Sequence, residues 1–229
     1  RSGSDAVFLA AALPDTTQGL VLDLGAGAGA AGLCLAARVP GVTVTFVERD
    51  PVLVACAREN LARPANAAFA DRVTVIEADL LASARIREAA GLHCEAASAV
   101  IMNPPYWSPG EVRVTPKAAK ADAHVLAKGG LDPWVRVATS LLRPRGHLAV
   151  IFRADRIADL LAALEGRFGG ARIVPLHPRP GEAAIRLIVV ATKGSRAAPS
   201  LLPGLILHEP GSSRWTPAAD AIQREGRGL

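Results

Sequence analysis

The stretch VLDLGAGAGAAGL, Val21 to Leu33, constrains this chain more than any other. An apolar run ends at Leu24, glycines follow at 25, 27, 29 and 32, and small and apolar residues then continue at helical spacing. A buried run, a glycine turn and a helix together form the opening unit of a parallel α/β sheet. A parallel neighbour can be laid down only if the chain returns through a crossover, usually helical. A turn without Cβ atoms also lets the backbone approach a ligand at the carboxyl edge of such a sheet. Residues 19–37 are nearly uncharged, but Asp23 and five glycines interrupt them. That pattern reads as strand, loop and helix, and not as a membrane span.

The rhythm continues downstream. Strands are expected at 20–24, 42–47 (VTVTFV), 73–77 and 97–102, with helices at 28–39, 51–63 and 84–90 between them. Pro51 suits a first helical turn, and Pro40-Gly41 ends the preceding helix. Residues 108–128 lack periodicity and read as a mobile loop. A helix is expected at 131–142, where Asp132 could cap, then a turn and a fifth strand in RPRGHLAVIFR. A helix at 155–168 is stopped by Gly169-Gly170, strands at 172–177 and 184–192 form an antiparallel hairpin, an apolar run spans 201–207, and a terminal helix starts at Pro217. The fold class is α/β: a doubly wound, Rossmann-like, seven-stranded and mostly parallel sheet with an antiparallel edge hairpin.

Composition narrows the function classes. Half of the 229 residues are hydrophobic and 4% are aromatic, so a large core is built from Ala, Val, Leu and Ile. Cys34, Cys56 and Cys94 are odd in number and far apart, which suits a reduced, cytoplasmic protein with structural cysteines. The five histidines have no ligand spacing, so no metal is expected. Residues 1–98 hold 8 Lys/Arg and 11 Asp/Glu, whereas 99–229 hold 18 and 10. A basic second half suits a polyanionic partner, although a coding bias toward Arg and Ala would produce the same count. The chain opens with Arg1 and its one methionine is Met102, which implies preceding sequence.

The glycine loop supports two registers. From Gly27 it is G-x-G-x-x-G, the dinucleotide fingerprint; from Asp23 it is D-x-G-x-G-x-G. Glu48, directly after the second strand, stands where a carboxylate binds a ribose diol, which either kind of cofactor carries. Asp23 tips the balance. A carboxylate there suits the ammonium group of S-adenosyl-L-methionine and repels a pyrophosphate. Asp79, just past the third strand, is placed to accept from an adenine amino group. The ordinary alternatives are a loop-bracing bond for Asp23 and a helix cap for Asp79.

NPPYW, Asn103 to Trp107, follows the fourth strand. Two prolines make a rigid extended turn. Asn103 offers an amide oxygen and Pro104 a carbonyl, two acceptors that can orient an NH2 group, and Tyr106 can stack on a planar ring. An exocyclic amine is a poor nucleophile because its lone pair is delocalised into the ring. Holding both N–H groups aims that lone pair, and in-line displacement from a sulfonium then needs positioning more than a strong base. A strand-terminating turn is the ordinary alternative.

These segments resemble the class I S-adenosylmethionine-dependent methyltransferases of the methyltransferase small domain type. More closely, they look like bacterial tRNA(valine) (adenine37-N6)-methyltransferases. The resemblance rests on GSDAVFLAAAL, VLDLGAGAGAAGLCLAARVPG, ADRVTVIEADL, IMNPPYW, KAAKADAH, LLRPRGHLAVIFRADRIADLLAAL and LLPGLILHEPGSSRWTPAADAI. It implies cofactor contacts from Asp23, Gly25, Ala26, Gly27, Gly29, Glu48, Arg49, Asp79, Leu80 and Asn103. It also implies a catalytic turn of Asn103, Pro104, Pro105 and Tyr106. Trp107, Arg113, Lys117 and Lys120 are candidate substrate contacts, with Lys128, Arg179, Arg186, Lys193 and Arg196 as further phosphate contacts.

One methyltransferase domain is expected over 1–229. It comprises the end of an N-terminal segment (1–19), a cofactor-binding half (20–107), a substrate loop (108–130), the C-terminal half of the sheet (131–193) and a tail (194–229). The expected function is N-methylation of an exocyclic amine, adenine N6 in tRNA. The expected setting is cytoplasmic, without membrane association, as monomer or homodimer. The alternatives are methylation of a protein glutamine amide or small molecule, a nicotinamide dehydrogenase, and a non-catalytic RNA- or cofactor-binding module.

Overall fold

A computed structural model describes residues 3–105 and 130–229. The helices are α1 (Asp5–Ala11), α2 (Ala30–Arg38), α3 (Pro51–Leu61), α4 (Ala84–Ala89), α5 (Asp132–Leu141), α6 (Ile157–Leu164) and α7 (Pro217–Glu225). The strands are β1 (Gly19–Leu24), β2 (Val42–Glu48), β3 (Val73–Glu77), β4 (Ala97–Met102), β5 (Leu142–Arg153), β6 (Phe168–His177), β7 (Arg186–Lys193), β8 (Ser200–Leu201) and β9 (Leu205–Ile206). They form one sheet in the order β3-β2-β1-β4-β5-β7-β6-β8, with β9 also on β6.

From β3 to β5 the pairings are parallel, and β7 runs antiparallel between β5 and β6. The expected seven strands and antiparallel hairpin are present. The apolar run at 201–207 adds two short strands alongside β6. Strand order reverses between β1 and β4, whose carboxyl ends therefore open a crevice between crossovers that leave in opposite directions.

Both faces of the sheet are covered because successive strand residues alternate between them. Val100 and Met102 of β4 pack with α5 and α6 through Trp134, Leu141 and Leu160. Ala99 and Ile101 face the other way, toward α1, α2 and α7 through Phe8, Leu35 and Ile222. Gly32 sits in α2 where a Cβ would overlap the Phe46 ring, so the close seating of α2 on the sheet depends on this glycine.

Several boundaries differ from expectation. Helix α1 was not anticipated. It is apolar on most sides and is enclosed by α2, α7 and β5. Asp132 does not cap α5; Leu131 is the N-cap, and Asp132 pairs with Arg136 at 2.6 Å and Arg167 at 2.8 Å. Helix α6 is shorter than 155–168 because Gly166, at φ +72°, turns the chain before β6. Gly169 and Gly170 lie inside β6 at a register shift rather than stopping a helix. No helix among the described residues is long and apolar enough to cross a membrane.

Candidate active site

The carboxyl ends of β3, β2, β1 and β4 converge on one cleft of about 560 Å³, within the usual range for small-molecule sites. The glycine loop is strapped across the end of β2. The Gly25 and Ala26 amides donate to the Val47 carbonyl at 2.8 and 3.1 Å. Gly25 must be glycine twice over. Its φ is +69°, and a Cβ would lie 2.8 Å from Cη2 of Trp134.

Glu48 completes the strap. Its Oε2 accepts from the Gly27 amide at 2.9 Å, and Oε1 accepts from the amides of Arg49 and Asp50 at 2.8 and 3.0 Å. The carboxylate is thereby fixed at the centre of the cleft floor. Asp79 is exposed, and its Oδ1 accepts from the Leu81 amide at 2.9 Å in a tight turn. Asn103 and Pro105 are half-buried on the cleft wall, and Pro104 is buried behind them.

Asp23 lies beneath the loop. It is 3% exposed, and its Oδ2 accepts from the Gly32 amide at 2.9 Å, the loop-bracing bond the sequence allowed. Burial raises its pKa to about 7; the Gly32 N–H opposes that shift, and the Glu48 charge adds to it. Burial likewise pushes the nearby Cys34 thiol up, with Asp23 contributing.

Of the expected site residues, Gly25, Gly27, Glu48, Arg49, Asp79, Leu80, Asn103 and Pro105 line this one cleft. Asp23, Ala26, Gly29 and Pro104 stand behind the lining and shape it. A Cβ on Gly29 would overlap Phe46. Tyr106, Trp107, Arg113, Lys117, Lys120 and Lys128, with the loop at 108–128, lie outside the described residues. Val47, Asp50, Pro51, Leu53, Ala78, Leu81 and Trp134 also line the cleft but were not anticipated. Val47, Asp50, Ala78 and Leu81 adjoin expected positions in sequence, so proximity would have found them. Trp134 had no such signal.

The candidate phosphate contacts separate. Arg153 pairs with Arg186, and His147 with Thr192, which puts Arg186 at the carboxyl edge and Lys193 at the opposite edge. Arg179 follows the end of β6 at the carboxyl edge, and Arg196 follows β7 at the other. Arg186 is engaged with Asp5 at 2.9 Å, and Lys193 with Glu95 at 2.9 Å. The four do not form one surface.

The methyltransferase small domain family matches residues 2–175. A tRNA1(Val) (adenine(37)-N6)-methyltransferase of Porphyromonas gingivalis is 30% identical over 229 residues, covering 98% of this chain and 77% of that protein. A release factor glutamine methyltransferase of Moorella thermoacetica is 30% identical over 164 residues, covering 68% and 54%. The crystal structure of a predicted O-methyltransferase from Agrobacterium tumefaciens superposes with a TM-score of 0.84 at 39% identity, covering 98% of each chain. With the family model matching most of the chain, the chain belongs to the methyltransferase small domain family of S-adenosylmethionine-dependent methyltransferases.

Proposed function

We propose that this protein methylates N6 of an adenine in tRNA. The observation that carries the reading is the Asn103-Pro104-Pro105 turn, held at the end of β4 on the same cleft as Glu48 and Asp79. The relatives named as tRNA adenine N6-methyltransferases support it. In this reading Asp79 receives the adenine amino group of S-adenosylmethionine, Glu48 the ribose, and the Asp23–Gly29 loop the methionine end. Arg49 and Leu80 flank the ribose and adenine.

The cofactor supplies an electrophilic methyl carried on a sulfonium. The protein's part is to present the nucleophile. The Asn103 amide oxygen and the Pro104 carbonyl accept from the two N–H bonds of the target amine, which turns its lone pair toward the methyl. Pro105 restricts Pro104 to extended backbone, which fixes the direction of that carbonyl. The amine held by Asn103 and Pro104 would take that methyl group, leaving the cofactor as a neutral thioether, and would then release one proton to water. Tyr106 stacks on the target base, and Trp107, Arg113, Lys117 and Lys120 contact the RNA. The setting is cytoplasmic, where tRNA is made.

The test is transfer of a labelled methyl group to unmodified tRNA. Asn103→Ala is expected to lower the rate at least about 100-fold while S-adenosylhomocysteine binding survives. Transfer at the wild-type rate would remove Asn103 from the mechanism. A second reading, methylation of a protein glutamine amide, is favoured by the likeness to the release factor enzyme. The same two acceptors would hold a planar amide. It predicts labelled protein in place of labelled RNA, and a rate untouched by ribonuclease.

A further inference from the structure

Trp134 belongs to the first turn of α5 and is 8% exposed. Its ring lines the cleft against Gly25, yet its Nε1 is buried with no hydrogen-bond partner among the described residues. A buried indole N–H normally finds an acceptor, because leaving it unpaired forfeits its hydration for nothing. The edge of the ring that faces Gly25 is Cη2 and Cζ3, and an orphaned donor beneath the surface on a residue that lines a ligand cleft points to an acceptor that arrives with the ligand.

The topology limits what that acceptor can be. Strand order lays the cleft out as a line: Asp79 after β3, Glu48 ending β2, Gly25 after β1 and Asn103 after β4. A cofactor with its adenine at Asp79 and its ribose at Glu48 brings its amino-acid end to β1 and β4, where Trp134 stands. At that end the ammonium and the sulfonium cannot accept a hydrogen bond. The carboxylate can, and a charged acceptor makes the stronger bond.

We propose that Trp134 is a cofactor-positioning residue whose indole N–H donates to the carboxylate at the methionine end of S-adenosylmethionine. This rests on the cofactor orientation described above. The bond would fix the amino-acid tail and with it the direction in which the sulfonium methyl faces Asn103.

The experiment is calorimetric binding to the full chain, wild type and Trp134→Phe. The two ligands are S-adenosylhomocysteine and its decarboxylated analogue, which lacks only the carboxylate. Phe keeps a ring against Gly25 and removes the donor. Trp134→Phe is expected to weaken S-adenosylhomocysteine about tenfold and to leave the analogue within about twofold of wild type. Thermal melts of both proteins without ligand identify any loss of folding. Unchanged S-adenosylhomocysteine affinity in a folded variant overturns the proposal. So does equal weakening of both ligands, which would assign the ring a packing role only. Failure of the wild-type protein to bind S-adenosylhomocysteine would instead sink the cofactor reading on which the proposal stands.

Discussion

A single ring, Phe46, sets the spacing between α2 and the sheet, because Cβ atoms at Gly29 and at Gly32 would both overlap it. The same close approach brings the Gly32 amide within 2.9 Å of Asp23 and seals that carboxyl from water. Burial then decides the titration. The pKa of Asp23 rises from 3.8 to about 7, so between those values the folded state holds a proton that the unfolded state has lost. The stabilisation that Asp23 contributes is therefore fully present below about pH 4, is lost as pH rises toward 7, and does not change above that. The fall attributable to this group is at most about 4 kcal/mol. Asp23→Asn keeps an oxygen for the Gly32 amide and carries no titrating proton. Urea unfolding of both proteins from pH 4 to pH 8 should show the stability difference between them growing through that window in favour of the variant. A constant difference would mean that Asp23 is ionised throughout.

At the scale of elements, a helix ends by finding donors for its last carbonyls. Arg72, just ahead of β3, provides them for α2. Its guanidinium donates to the carbonyls of Ala36 at 2.7 Å, Val39 at 3.1 Å and Val42 at 2.9 Å, and so ties the end of α2 to the start of β2. Arg72→Ala is expected to cost about 2 kcal/mol of stability. Arg72→Lys should recover less than half, since a point-like ammonium cannot span three carbonyls. The urea midpoint measures both, and a loss below about 0.5 kcal/mol for the alanine variant would show that water replaces the guanidinium adequately. Nothing local marked Arg72 for this role, because the bonds join segments some 30 residues apart. What the sequence carried was periodicity. Strands β1 to β4 were legible because they are apolar or β-branched runs bounded by turns, although β3, at the sheet edge, is only partly buried. Helix α1 was not, since a seven-residue helix enclosed by α2, α7 and β5 has no polar stripe to reveal its period. The glycines at 169 and 170 misled for a related reason. A glycine that ends a helix and one that admits a register shift look alike until the partner strand is known.

Across the whole molecule, the charge division along the chain becomes a division in space. Residues 1–98 carry the β3-β2-β1 side with 8 basic and 11 acidic residues, and 99–229 carry the β5-β7-β6 side with 18 and 10. The expected residues that line the cleft were legible because each lies at or just after a strand end, and parallel strands bring their ends to one edge. Trp134 was not legible, because its place in the cleft depends on how α5 packs. The basic residues near the hairpin looked equivalent in sequence, but antiparallel β7 carries Lys193 and Arg196 away from the edge where Arg186 begins it and Arg179 follows β6. An RNA seated over Asn103 should therefore meet Arg179 and not Arg196. Arg179→Glu is expected to raise the KM for tRNA several-fold and to flatten the dependence of log affinity on log salt by about one. Arg196→Glu changes the net charge equally and should leave both within about twofold of wild type. Filter binding of tRNA across a salt series, with initial rates alongside, separates the two. Equal effects from both substitutions would mean that the RNA responds to the molecule's total charge rather than to the edge that bears the Asn103-Pro104-Pro105 turn.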